Sequence, residues 1–390
     1  MILNNLHIVG NDDNIKSITI KNSLIQKICN ENGIKTGEEK IINFENAIIF
    51  PGLINSHDHL EFSLFPALGN KTYKNYIDWG EDIHKVNKKQ IDSILNIPVE
   101  LRYQWGIYKN ILSGVTTVIQ HGKILNVKQK GIIDVYNGGK IFHSVELEKY
   151  WRFRINLPGF EQLVVHIAEG TDDFSKKEIK TILGWNFFKK KIVGIHAVAL
   201  QKEDAKNFEA IVWCPVSNYF LYNATAEIDK FKDETKILFG TDSSASADGN
   251  IWEHLRFARN LKLINDEDLF SSLTTIPGKV WNLRSPGIIK ENYLADLVVA
   301  ENKTENRWDS FFSINPGDII MILKKGEIIL WDESVKKRLN LPDKKIKLST
   351  KIILPDGKIK YVDGNLNELV NSIHKYNTDV LFPLKSESPE

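Results

Sequence analysis

The chain has 390 residues, with 51 Lys+Arg against 50 Asp+Glu, 42% hydrophobic and 26% charged. That is the profile of a soluble globular protein with room for one large domain and a smaller one. The near-zero charge balance gives no basic excess for nucleic acid or an anionic membrane, and no run approaches the ~18 apolar residues of a bilayer span.

Two cysteines, Cys29 and Cys214, exclude a disulfide scaffold and a cysteine-rich zinc module. Met1–Gly10 reads as too short and too polar for a signal segment, so the expected compartment is the cytoplasm. Residues 1–50 read as short strands: Leu3–Val9, Ser17–Ile20, Leu24–Cys29, Lys40–Phe44 and Ala47–Phe50. Gly10-Asn11-Asp12-Asp13 and Asn30-Glu31-Asn32-Gly33 punctuate them as turns. A small all-β piece of this kind needs partner strands from elsewhere.

From about 51 to 285 the pattern becomes strand then helix, the signature of a parallel sheet. Strands are expected at Thr116–Gln120, Lys140–Leu147, Gln162–Ala168, Lys191–Val198, Glu209–Pro215 and Ile237–Thr241. Helices are expected at Gln90–Leu112, Lys176–Phe188, Lys202–Asn207, Ile251–Leu263 and Asp266–Leu273. Strands return at Leu297–Ala300, Asp318–Lys324 and Glu327–Trp331, natural partners for the first fifty residues. The expected division is a composite β-sandwich from 1–50 and 286–345, an α/β domain over 51–285, and an extension over 346–390. The extension reads as a strand pair about Pro355-Asp356-Gly357, a helix near Leu366–His374 and a disordered end, Lys385–Glu390.

His57 and His59 stand two apart after a Pro-Gly break, so in an extended segment both imidazoles point to one side and can converge on zinc or iron. Taken alone such a pair is a weak signal. Later strand ends carry His166 with Glu169, His196, and Asp242 in Gly-Thr-Asp-Ser-Ser. C-terminal strand ends are where parallel α/β folds gather reactive groups. His166 alone reads as a core histidine, Glu169 as a helix N-terminal carboxylate, Asp242 as an N-cap and Asn218 as a turn residue. Six such groups at successive strand ends are hard to explain by structure alone. Together they supply what a hydrolytic metal site needs: nitrogen ligands, a carboxylate ligand, and a further carboxylate to carry protons.

Pro51-Gly52-Leu53-Ile54-Asn55-Ser56-His57-Asp58-His59, His166-Ile167-Ala168-Glu169, Ile195-His196-Ala197, Cys214-Pro215-Val216-Ser217-Asn218 and Leu238-Phe239-Gly240-Thr241-Asp242 resemble the amidohydrolase superfamily. Within it the resemblance is to the cytosine deaminase-like branch of chlorohydrolases and aminohydrolases, to which Ala295-Asp296-Leu297-Val298-Val299 also corresponds. It covers about residues 1 to 335. It implies a distorted (β/α)8 TIM-type barrel with a mononuclear site: His57, His59, His166 and Asp242 holding one Zn2+, or Fe2+ as second choice. It further implies that Asp242 takes a proton from the attacking water, His196 orients that water, and Glu169 delivers a proton to the ring and the departing amine. Two departures stand out. No strand-end lysine is placed to bridge a second metal, and only about 15 residues separate Lys140–Leu147 from Gln162–Ala168, where a helix and a strand need around 30. One barrel unit, 148–161, is therefore expected to be shortened, with Tyr150–Arg154 as its remnant.

The expected partner is a small molecule with a planar nitrogen-containing ring, with no nucleic acid and no membrane; a homodimer is admitted. Phe62, Phe65, Tyr73, Tyr76 and Trp79 in the loop after His59 suit a flat heterocycle, or equally pack the rim. Arg152, Arg154, His121, His143 and Glu61 are further candidate contacts, each with an ordinary structural alternative; Asp58 points away from the ligands and reads as structural. The leading expectation is deamination of a nitrogen heterocycle. The alternatives are hydrolysis of a cyclic or linear amide or of a C–Cl bond at the same site, and, remotely, an inactive scaffold.

Overall fold

The structure, a computed structural model, describes residues 1–10, 15–30, 40–127, 132–160, 162–247 and 249–385. The turns expected at Asn11-Asp12-Asp13 and Glu31-Asn32-Gly33 lie outside them, as do 386–390 of the tail. Lys385 is placed: its amide donates to the Ile353 carbonyl at 2.8 Å, so the expected disorder does not begin there.

Four strands open the chain: β1 (Ile2–Ile8), β2 (Lys16–Lys21), β3 (Leu24–Asn30) and β4 (Ile41–Pro51). Eight follow in the middle: β5 (Leu53–Asp58), β6 (Val115–Gln120), β7 (Asp134–Tyr136), β8 (Lys140–Ser144), β9 (Gln162–Ile167), β10 (Lys191–His196), β11 (Ala210–Trp213) and β12 (Lys236–Phe239). Five complete the set: β13 (Leu297–Glu301), β14 (Ile319–Lys324), β15 (Glu327–Asp332), β16 (Ser349–Ile353) and β17 (Ile359–Asp363).

The two chain ends meet in one nine-stranded sheet, ordered β16-β17-β15-β14-β13-β4-β1-β2-β3. The tail strands therefore extend the same sheet rather than standing apart. β4 is one strand where the sequence reads as two; Asn5 and Asn46, both at positive φ, absorb a bulge between β1 and β4, so pairing resumes beyond it. Alternation along β4 and β13 sends Ile48, Phe50, Val298 and Ala300 into the core shared with the α/β part. Ala47, Ile49, Leu297 and Val299 face the other way, into a second core shared by β2, β3, β14 and β15.

The middle strands all run parallel, in a five-stranded sheet β12-β11-β10-β9-β8 and a three-stranded sheet β5-β6-β7. No ladder joins β12 to β5, but their ends touch: the Thr241 and Asp242 amides both donate to the His57 carbonyl, at 3.1 and 3.0 Å. On the far side, only Asn137-Gly138-Gly139 links β7 to β8. A return to a parallel neighbour needs about a dozen residues, so β7 and β8 are successive stretches of one path that passes from one sheet to the other. Among the described residues there are seven parallel strand paths, and the shortening falls both here and at the single-turn helix Trp151–Arg154.

The helix expected over Gln90–Leu112 is two, Lys88–Leu95 and Val99–Ile111, preceded by α1 (Tyr76–Val86). Pro98 causes the break: it has no N–H to give to the preceding turn, it pushes Ile97 out of helical space, and it serves as N-cap of the second helix. No described helix is long and apolar enough to cross a membrane.

Candidate active site

The six groups singled out in the sequence converge where the parallel strands end. His57 and His59 come from the end of β5, His166 and Glu169 from β9, His196 from β10, and Asp242 from just past β12. None is more than 7% exposed. Three of these ends turn sharply, with Ala168, His196 and Asp242 at φ of 53°, 67° and 61°. Non-glycine residues seldom adopt this conformation unless their surroundings hold them there; here it aims the side chains inward from the strand ends.

His57 Nε2 lies 3.2 Å from His166 Nε2 and 3.2 Å from Asp242 Oδ1, and His59 Nε2 lies 3.6 Å from the same oxygen. The second nitrogen of His166 donates to the His143 carbonyl at 2.8 Å, which leaves Nε2 as a bare lone pair facing His57. Burial pushes the pKa of His57, His59 and His166 down, that of His59 to about 3, so all three are neutral. Burial would raise the Asp242 carboxyl, but its hydrogen bond with His57 and the imidazoles around it outweigh that and hold it well below the usual range. Neutral nitrogen lone pairs and an anionic oxygen converging without enough protons to separate them fit a divalent cation. Two overlapping triplets, His57/His59/Asp242 and His57/His166/His196, have all their ligand atoms within 4.8 Å of one another.

His196 Nδ1 donates to Asn218 Oδ1 at 2.9 Å, leaving its Nε2 3.7 Å from Glu169 Oε1 and 3.9 Å from Asp242 Oδ2. Glu169 Oε1 accepts from the Tyr222 hydroxyl at 2.9 Å. Burial raises the Glu169 carboxyl, so a proton rests on it more readily than on an exposed glutamate. The second oxygen of Asp242 accepts from Ser217 Oγ at 2.7 Å and Ser246 Oγ at 2.8 Å.

Ser217, Ser246 and Tyr222 were not singled out in the sequence. Ser217, Asn218 and Tyr222 share the helix Pro215–Tyr222, and Tyr222 lies one turn past Asn218, on the same face. That spacing was the available signal.

The other candidates divide. His121 is 5% exposed, its ring 4.3 Å from that of His166, and among the described residues neither nitrogen has a hydrogen-bond partner. Phe62 stacks on His59 at 5.5 Å. Phe65 meets Phe62 edge-on, and the polar atoms of Tyr73, Tyr76 and Trp79 bond to Asp82, Glu178 and the Leu68 carbonyl. Glu61 accepts from Gln120, Arg152 lies over Trp151 and Trp185, and Arg154 pairs with Glu148. His143 is exposed and serves His166 through its backbone. Asp58 turns away to Asn110 and Lys109, at 2.8 and 3.2 Å.

No family model matches the chain. It is 21% identical over 383 residues to a 5-methylthioadenosine/S-adenosylhomocysteine deaminase of Pyrococcus horikoshii, spanning 77% of this chain and 87% of that protein. Its fold is similar to that of an adenosine deaminase from Xanthomonas campestris with bound zinc: TM-score 0.69, 12% identity, 97% of this chain and 98% of that one. An atrazine chlorohydrolase from Arthrobacter aurescens, complexed with zinc, gives a TM-score of 0.67 at 14% identity, over 96% and 99%.

Proposed function

We propose that the chain is a member of the amidohydrolase superfamily and a metal-dependent deaminase of a nitrogen heterocycle. The observation that carries this reading is the pair of carboxylates flanking one histidine: Glu169 at 3.7 Å and Asp242 at 3.9 Å from His196 Nε2, beside the lone pairs of His57, His59 and His166. The relative named as a methylthioadenosine and adenosylhomocysteine deaminase supports an adenine-type ring as the substrate class.

His57, His59, His166 and Asp242 would hold one divalent metal, zinc first, as in the fold neighbours named with zinc. A metal so held acidifies a water at neutral pH. Asp242 takes the proton of the attacking water, its carboxylate kept ionised by the hydrogen bond with His57 and fixed in rotamer by Ser217 and Ser246. His196, its tautomer set by Asn218, directs Nε2 toward that water. Glu169, with a raised affinity for protons, gives its proton to the ring nitrogen, takes up the one that Asp242 removed from the water and passes it to the departing amine; the second proton of that water returns to Glu169 as the carbonyl forms, so that ammonia leaves neutral and both carboxyls end as they began. Tyr222 keeps Glu169 in reach of both positions. The seven parallel paths are read as a distorted barrel, and the nine-stranded sheet as a sandwich closed by both chain ends.

Ammonia release from a panel of adenine nucleosides, pterins and cytosine-like rings tests the reading, with metal content measured alongside. Chloride release from a chlorotriazine, or new carboxylate from a cyclic amide, without ammonia would replace deamination by the alternative hydrolyses. Less than one metal per chain after reconstitution would favour a scaffold.

A further inference from the structure

Glu178 is a buried carboxylate that the proposed mechanism does not use. It lies on α2 (Asp173–Trp185) and is 3% exposed. Oε1 accepts from the Tyr76 hydroxyl at 2.8 Å and Oε2 from the Ala168 amide at 3.0 Å. Ala168 is the left-handed residue immediately before Glu169. Tyr76 opens α1, the first helix after the loop that follows His57 and His59.

The backbone joins the same two regions. The Tyr76 amide donates to the Glu169 carbonyl at 3.3 Å, the Thr171 amide to the Lys74 carbonyl at 2.8 Å, and Asn75 bridges Gly170. A Cβ on Gly170 would come 2.5 Å from the Lys74 carbonyl oxygen, so only glycine lets the two segments approach this closely. Asn75 caps α1 with its Oδ1 and donates its Nδ2 to Asp172, the cap of α2, at 2.6 Å. The two helix N-termini are thereby fastened side by side, with the Glu169 corner between them.

Among the described residues Glu178 enters no ion pair, and the carboxylates of Glu169 and Glu146 add to the effect of its burial. A buried carboxylate without a countercharge is costly for packing alone. Both neighbours are donors, and the ionised carboxylate offers each of them an acceptor oxygen where a glutamine would turn an N–H toward one.

We propose that Tyr76 and Glu178 are positioning residues that hold the Ala168–Glu169 turn, so that the proton-carrying carboxylate is placed only when the loop from His59 to Asn75 is docked against it. The proposal rests on the reading of Glu169 given above. Neither residue touches the reacting atoms; both act through Glu169.

Tyr76→Phe, Glu178→Gln and the double variant test it, by zinc stoichiometry, by amide hydrogen exchange over 168–172 and 74–76, and by ammonia release from an adenine nucleoside. The expected result is one zinc per chain throughout, exchange over 168–172 at least tenfold faster, and kcat lowered at least tenfold with KM within threefold. Because the two residues form one unit, the double variant should be no slower than the slower single variant. Exchange and kcat as in the wild type would overturn the proposal, and so would multiplicative losses or a rise in KM alone. Loosened amides in the variants, together with a wild type that releases no ammonia from any ring of the panel, would leave the clamp standing and overturn the deaminase reading instead.

Discussion

Asp242 meets His57 twice: its Oδ1 lies 3.2 Å from His57 Nε2, and its backbone amide donates to the His57 carbonyl at 3.0 Å. One contact belongs to the ligand cluster and the other closes the seam between β12 and β5, so site and fold are joined at the same pair. Removing the carboxylate takes away a ligand oxygen and the proposed base together. Asp242→Ala is expected to bind well under one metal per chain and to lose about 10⁴-fold in kcat/KM. Ser217→Ala and Ser246→Ala, which each remove one donor to the outer oxygen, should keep the metal stoichiometry and cost about tenfold in activity or metal affinity. Metal analysis beside steady-state kinetics checks all three; full activity in Asp242→Ala would end the assignment.

Glu169 separates the chemistry from the metal. Its nearest partners are Tyr222 and His196, and it belongs to neither ligand triplet. Glu169→Gln keeps the hydrogen bond from Tyr222 but carries no proton between ring and amine. The expected outcome is one metal per chain and a loss of about 10²–10⁴ in kcat. Unchanged turnover would show that another group moves the proton.

The histidine pair, His166 with Glu169, His196 and Asp242 were legible because each sits at the end of an apolar strand, where polar residues stand out against Ile and Val. Their supports were not. Ser217 lies on a mostly apolar helix and Ser246 in a loop of small residues, with no local pattern to mark them, and Tyr222 is marked only by standing one turn past Asn218. Glu178 occupies a position that reads as a solvent-facing helix charge until the fold turns that face inward. The shortened barrel was visible as missing length, but its form was not. Pairing partners are set by tertiary geometry, and a three-residue link carries no pattern that shows which sheet the next strand joins. Pro98 did carry a local signal for the helix break, and the strong apolar spacing on either side of it masked that signal.

Gly240 marks how tightly the seam is packed. A Cβ there would fall 2.7 Å from His57 Cβ, 3.0 Å from a Val212 methyl and 3.1 Å from Cys214 Sγ. Gly240→Ala must therefore push β5 and β12 apart or rotate His57 out of the cluster. Metal affinity should drop at least tenfold while secondary structure, followed by circular dichroism, remains. An alanine variant with native metal affinity would mean that the strands yield without moving His57.

Glu178 gives the pH prediction. Burial, opposed by the hydrogen bonds from Tyr76 and Ala168, pushes its carboxyl up from 4.5 to about 7, with Glu169 and Glu146 adding to the rise. Between those values the folded chain holds a proton that the unfolded chain has released, so this group makes stability fall as pH rises from about 4.5 to about 7. Glu178→Gln cannot ionise. Its stability deficit relative to the wild type should therefore shrink across that window, read as the difference in thermal midpoint at pH 5 and pH 7.5. A deficit that grows with pH would give the opposite sign and place the pKa of Glu178 below its ordinary value.

Lys324 joins the nine-stranded sheet to the parallel strands. It is 3% exposed and lies 2.6 Å from Asp296 and 2.8 Å from Asp134 at the start of β7. Asp296 also accepts from the Lys325 amide at 2.6 Å, while its carbonyl receives the Gly52 amide at 2.9 Å, just before β5 begins. The Ala-Asp-Leu-Val-Val segment thus anchors the entry to the first parallel strand and lies outside the chemistry. Lys324→Met leaves the buried Asp296 carboxylate without its cation, while Asp134 keeps Lys325 at 2.8 Å, and should cost about 3–5 kcal/mol. Adding Asp296→Asn removes that orphaned charge and should return part of that loss, since the energetic penalty of a broken buried pair resides in the partner left behind. Urea unfolding of the two variants, with zinc content as control, decides it: equal midpoints for the single and double variants would show that Lys324 acts by packing rather than by charge.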